Sequence, residues 1–207
     1  MAIYERATDF MGSTTPPIST GRCLFLLSPS GGGKHAVVDR IKTLELAPVE
    51  FCVRDTTRPT QSWDNGSHRN LTHEEFHARM RGSEYLTLMT DGTGNLFGIR
   101  RVEVVELLNQ GKIPVLRGLV SHVQDLKGQL AEQDPSASLV SVFMTTEPED
   151  AWWKVVEERG FDVEGRVSTS MHDLCNLNDP KRNIDRIVVN SWGHLDETAH
   201  AIAGLLR

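Results

Sequence analysis

The sequence predicts an α/β fold, a parallel sheet covered by helices on both faces. Three observations predict it. Short apolar runs at 23–27, 113–116 and 139–144 alternate with helix-period stretches. The first run, Cys23-Leu24-Phe25-Leu26-Leu27, passes straight into Ser28-Pro29-Ser30-Gly31-Gly32-Gly33-Lys34-His35, and then into Ala36-Val37-Val38-Asp39-Arg40-Ile41. That order is strand, glycine loop, helix. Finally, the alternation pauses over about 55–99, where a polar insert forms a small lobe beside the main sheet.

Residues 1–20 have weak periodicity and end in Ser13-Thr14-Thr15-Pro16-Pro17, so they are read as a flexible N-terminal extension. The remaining chain, 21–207, is one domain. The helix after the loop runs to about Lys42, and Glu50–Val53 is a second strand. The stretch from Arg54 to Gly66 is polar and rich in turn formers. Thr72 and Glu75 form a capping box for a helix to about Met80. Tyr85–Thr90 and Asn95–Ile99 are strands around the turn Asp91-Gly92-Thr93-Gly94. A helix over Arg101–Asn109 is stopped by Gly111. Ile113–Leu116 is a buried strand, Val120–Leu130 a helix and Leu139–Met144 a strand. Thr146 and Glu149 cap a helix to about Glu158, and a further helix runs to Cys175. Arg186–Val189 is the last strand and Leu195–Leu206 the closing helix.

Composition narrows the function classes. The 207 residues are 39% hydrophobic and 24% charged, as in an ordinary soluble domain. The net charge of −6, with no long basic run, argues against nucleic-acid or anionic-membrane partners. Cys23, Cys52 and Cys175 are odd in number and far apart, so they are read as thiols of a reducing compartment and not as a disulfide or metal set. With no segment resembling a signal peptide or membrane span, the expectation is a cytoplasmic protein. Trp152-Trp153 fits core or interface, which leaves a homodimer open.

The loop carries the chemistry. Successive backbone N–H groups of a glycine-rich turn, backed by a helix N-terminus, bind phosphate, and the lysine reaches the outer phosphates of a nucleotide. The strict motif is G-x-x-x-x-G-K-[ST]. Gly33-Lys34 fits it, Ser28 stands where the first glycine would be, and His35 stands where the magnesium-binding hydroxyl would be. The expected nucleotide-binding set is Pro29, Ser30, Gly31, Gly32, Gly33, Lys34 and His35, on a P-loop NTPase-type sheet.

Further pieces follow in a telling order: Phe51-x-Val53-x-x-Thr56-Thr57-Arg58, Gly66, Glu74-Glu75-Phe76, Gly94-Asn95-Leu96-Phe97-Gly98, Glu158-Arg159-Gly160 and Val188-Val189-Asn190. Over about 22–206 the chain resembles the guanylate kinases, whose loop reads G-P-S-G-x-G-K-S. The resemblance implies an acceptor-binding lobe over about 55–99, a short lid over about 157–168, and ATP and Mg2+ as cofactors. It implies Lys34, Arg159 and Arg166 as catalytic residues, with Lys154 assisting. Solvated helix charge is the alternative reading of the two arginines. It also implies Arg58 as the group that holds the acceptor's phosphate.

The acceptor pocket departs from that family. Gln61 stands about where a second arginine belongs, His68 or Arg69 near a tyrosine, and Leu88 near an acidic residue. Val115-Leu116-Arg117-Gly118-Leu119 replaces the aspartate-bearing strand end. Guanine needs acceptors for its N1–H and amine, so GMP is not the expected substrate. Thr57-Arg58, His68, Gly118 and His122 resemble the ribose bisphosphate phosphokinases. The expected acceptor-binding set is Arg58, His68, Arg69 and Arg117.

The expected function is ATP-dependent phosphoryl transfer to a small phosphorylated molecule. The alternative is a catalytically inactive guanylate kinase-like module for protein binding or nucleotide sensing. Magnesium prefers oxygen ligands, which His35 and Arg117 do not offer. Three readings stay open. Water and phosphates hold the metal, or Arg117 and His35 supply the charge themselves, or transfer is lost.

Overall fold

A computed structural model describes residues 21–61, 66–90, 94–133, 137–148, 151–158, 170–175, 177 and 183–207. The N-terminal extension and most of the expected lid, including Arg159 and Arg166, lie outside the described residues.

The core sheet has five parallel strands, ordered β2 (Val49–Phe51), β7 (Ile113–Leu116), β1 (Arg22–Leu27), β8 (Ser138–Glu147), β9 (Arg186–Ser191). β1 lies at its centre and is buried on both faces, which is why it reads as a continuous apolar run. Cys23, Phe25 and Leu27 face a cluster with Val104 and Val105 of α3 (Arg101–Asn109) and Val123, Leu126 and Leu130 of α4 (Val123–Gln133). Leu24 and Leu26 face the opposite cluster, with Val37, Val38 and Ile41 of α1 (Lys34–Thr43) and Ala199, Ile202 and Ala203 of α7 (Leu195–Gly204). Each such Leu or Phe contributes about 1.5–3 kcal/mol by leaving water. Burial pushes the Cys23 thiol up to about 12, and the Cys52 thiol is raised by the same cause. Both are free, buried thiols. Among the described residues no helix is long and apolar enough to cross a membrane.

A second sheet has the order β4 (His68–Asn70), β3 (Arg54–Thr56), β6 (Leu96–Arg100), β5 (Tyr85–Thr90). It is flanked by α2 (His73–Arg81), where the Thr72–Glu75 capping box forms as expected. α5 (Ala151–Glu158) and helical residues 170–175 (α6) complete the described elements.

Several boundaries differ from the sequence expectations. The second strand stops at Phe51, and Arg54–Thr56, expected as turn, is the strand β3. Its polar residues can be extended and buried because Asp55 finds cationic partners from other elements, described below. Val120–His122 forms one 3-10 turn before α4 begins, so the helix starts later than expected. Thr146 is not a helix cap. It pairs with Asn190 in β8, which the ladder with β9 keeps extended to Glu147. Glu149 lies outside the described residues.

Candidate functional site

In an open α/β sheet, ligands bind beyond the carboxyl ends of the strands. The glycine loop leaves β1 at that edge. Gly31 and Gly33 have φ of 81° and 86°, values that favour glycine. A Cβ on Gly31 would lie 2.5 Å from the Trp152 carbonyl oxygen, so α5 packs directly on the loop. Trp152 is buried there. The Ser30 amide donates to Ser170 Oγ at 3.2 Å, which ties α6 to the loop as well.

Lys34 opens α1. Its ammonium donates to the Ser28 carbonyl at 2.9 Å, to Ser28 Oγ at 2.7 Å and to the Pro29 carbonyl at 3.4 Å. Ser28 Oγ in turn donates to the Pro29 carbonyl at 3.0 Å. The residue at the first-glycine position therefore helps to orient the lysine. Asn190, at the end of β9, donates from Nδ2 to the Gly32 carbonyl at 3.2 Å and accepts at Oδ1 from Thr198 at 3.2 Å. Beyond it lies an open groove of about 620 Å³ lined by Pro148, Val189, Trp192 and Thr198. Trp192 is 75% exposed on that groove, which no residue of the glycine loop lines.

A chain of polar contacts runs from the loop toward the second sheet. His35 Nε2 lies 3.3 Å from Arg117 Nη1. A guanidinium only donates, so in this contact the imidazole nitrogen is on the accepting side. Arg117 Nη2 donates to the Ser67 carbonyl at 3.0 Å. Ser67 Oγ lies 3.1 Å from His68 Nδ1, and His68 Nε2 lies 2.9 Å from Arg54 Nη2. By the same reasoning His68 accepts from Arg54 and donates to Ser67. Phe51 and Phe97 back the two guanidiniums, with Arg117 5.0 Å and Arg54 4.7 Å from the ring centroids.

Of the expected site residues, the loop, Arg117 and His68 are thus brought together. Arg58 is partly buried just beyond β3. Its amide donates to Thr56 Oγ1 at 3.1 Å and its carbonyl accepts from Asn70 at 2.7 Å. Arg69 is engaged elsewhere. It bridges Asp55 Oδ1 and Glu103 Oε1, each at 2.8 Å. Lys154 is exposed on α5 and Leu88 is 45% exposed on β5. His122 sits on the 3-10 turn, where burial lowers its pKa. Gly118 is held to glycine by packing, since a Cβ would lie 2.6 Å from Phe25 Cζ and 3.3 Å from Met89 Cε.

Sequence reasoning missed Arg54, Ser67 and Ser170 as contributors. Arg54 gave no signal because it lay in a stretch read as turn. It also missed the support of the second sheet. Asp55 is fully buried and accepts from Arg69, from Arg79 at 2.6 Å and from Tyr85 at 3.0 Å. Arg100 donates to Glu103 at 2.6 Å. Burial pushes the Glu103 carboxyl up, but the hydrogen bonds from Arg69 and Arg100, and their charges, together hold it below the usual range.

Magnesium, which the fold family implies, takes near-octahedral oxygen ligands at about 2.0–2.1 Å. The side chain after Lys34 is an imidazole whose Nε2 already accepts from a guanidinium. Neither group fits that ion.

A parallel sheet whose central strand feeds a glycine loop, a lysine and a helix is the arrangement of a P-loop nucleotide-binding fold. The chain belongs to the guanylate kinase family, whose family model matches residues 20–207. It is 26% identical over 193 residues to a guanylate kinase of Synechococcus sp. (strain JA-3-3Ab), covering 92% of this chain and 84% of that one. It is 26% identical over 151 residues to a bifunctional ribose 1,5-bisphosphokinase-thymidine phosphorylase of Cupriavidus necator, covering 73% of this chain and 24% of that protein. The fold is shared with the crystal structure of guanylate kinase from Anaplasma phagocytophilum, at a TM-score of 0.61 and 20% identity, over 92% of this chain and 87% of that one.

Proposed function

We propose that this kinase transfers the terminal phosphoryl group of ATP to a small phosphorylated acceptor other than GMP, with a sugar bisphosphate the first choice. The observation that carries the reading is the polar path from His35 through Arg117, Ser67 and His68 to Arg54. It presents two guanidiniums between the loop and the second sheet. Cations and N–H donors suit phosphate oxygens, whereas guanine's N1–H and amine need acceptors.

Phosphoryl transfer is mostly positioning and charge neutralisation. The loop amides and Lys34 hold the donor's phosphates. Arg58 grips the acceptor's existing phosphate in a bidentate fork. Arg159 and Arg166 cover the transferring group. An acceptor oxygen bonds to the terminal phosphorus as the bond to the bridging oxygen breaks, and ADP leaves with that oxygen. The similarity to a protein named for ribose 1,5-bisphosphokinase supports this acceptor class. Two buried thiols fit a reducing, cytoplasmic setting.

The test is a transfer screen with ATP against GMP, other nucleoside monophosphates and ribose 1,5-bisphosphate, read by phosphorus NMR. Turnover of the sugar bisphosphate with GMP left unused supports the reading. GMP as the best acceptor overturns the acceptor assignment. ATP binding with no transfer to any acceptor points instead to a nucleotide-sensing module.

A further inference from the structure

We infer that Ser170 and Asp173 of α6 are positioning residues, which clamp the glycine loop to the segment after β7 and so set the distance between donor and acceptor. The inference rests on the proposed function, transfer from ATP at the loop to an acceptor held between the loop and the second sheet.

α6 supplies both contacts. Ser170 Oγ accepts from the Ser30 amide of the loop at 3.2 Å. Asp173 Oδ1 accepts from the Val120 amide at 3.1 Å. Ser30 follows the end of β1 at Leu27, and Val120 follows the end of β7 at Leu116. The two strands are neighbours, paired at Phe25 and Leu116. The held amides therefore stand on adjacent loops at the carboxyl edge of the sheet, where ligands bind.

Positions three apart on a helix share one face. Ser170 and Asp173 are 3% and 4% exposed, whereas Met171 and His172 between them are exposed. Leu174 anchors the same helix against the core cluster that holds Phe25, Leu116 and Val120. Polar side chains are costly on a buried face unless they have hydrogen-bond partners, and the two loop amides serve as such partners. Both loops are closely packed as well. A Cβ on Gly31 would lie 2.5 Å from the Trp152 carbonyl oxygen, and one on Gly118 2.6 Å from Phe25 Cζ. The His35–Arg117 contact joins these segments through side chains, whereas α6 joins them through main-chain amides and so holds the backbones themselves.

Reacting atoms must approach to about 3–3.5 Å, and a misplacement of about 1 Å can cost about 100-fold in rate. A clamp on the backbones that carry the donor and acceptor groups acts on that distance. Ser170 and Asp173 act through those backbones, so they govern turnover more than ATP affinity.

The experiment measures ATP affinity by calorimetry, and kcat and KM with the best acceptor of the transfer screen, for wild type, Ser170→Ala, Asp173→Ala and the double variant. Ser170→Ala should lower kcat by about tenfold and leave the ATP affinity and KM within about threefold. The double variant should lose little more than the worse single one, because a clamp with one jaw gone is already open. Asp173 is buried and its variant could fail to fold, but Ser170→Ala decides the question without it. A kcat for Ser170→Ala within about twofold of wild type overturns this inference and leaves the proposed function standing. A loss of ATP affinity as large as the loss of kcat also overturns it, since the contact would then serve binding alone. Wild-type protein that transfers to no acceptor overturns both.

Discussion

Asn190 fills the space that a side chain on Gly33 would need. A Cβ at residue 33 would lie 2.7 Å from Asn190 Nδ2, the nitrogen that donates to the Gly32 carbonyl. The last strand of the sheet thus fixes the loop that the first strand delivers. Gly33→Ala would meet this contact at a φ of 86°, where an L side chain costs about 1–2 kcal/mol. We expect the fold to survive, the melting temperature to drop by about 2–8 °C, and ATP affinity to fall at least tenfold. Thermal melts paired with calorimetry test this. Unchanged affinity would show that the loop tolerates a shifted Asn190.

Asp55 holds the second sheet together. It is fully buried, and Arg69, Arg79 and Tyr85 all donate to it. Asp55→Asn removes the buried charge that Arg79 pairs with and that Arg69 shares with Glu103. The expected loss is about 3 kcal/mol, read as a lower urea midpoint. A loss within about 0.5 kcal/mol, the size of an ordinary surface change, would mean that the network is not a source of stability.

Glu103 predicts a pH dependence. Its carboxyl, 13% exposed between Arg69 and Arg100, titrates below its ordinary value in the folded protein. The stability it contributes is therefore fully present above about pH 4.3, the unfolded value. It is lost as pH falls through the folded value. The difference in melting temperature between wild type and Glu103→Gln should be constant from pH 7 to about 5 and shrink below about 4. A difference that grows on acidification would reverse the assigned sign.

The parts of this fold that were legible in the sequence are those decided locally. The run Cys23–Leu27 is buried on both faces, so no alternation is needed to see it. The loop and Lys34 follow from residue type and spacing, and the Thr72–Glu75 box is a local hydrogen-bond exchange. What escaped depends on partners far along the chain. Arg54–Thr56 is a strand because Asp55 meets arginines 14 and 24 residues away. Thr146 is extended because β9 pairs with it, which no local cap signal could outweigh. Arg117 and His35 were each visible as odd substitutions, but their contact spans 82 residues.

The most direct test of the whole account follows ADP and phosphorylated product in one reaction of ATP with ribose 1,5-bisphosphate, for wild type and Lys34→Ala side by side. Lys34 opens α1, and its truncation removes its own bonds to Ser28 and the Pro29 carbonyl but leaves the Asn190 bond to Gly32 in place, so the melting temperature should fall by only about 2–4 °C. Wild type should give stoichiometric ADP and product, and Lys34→Ala none. Equal turnover by the two proteins would contradict this, because transfer would then not pass through this loop.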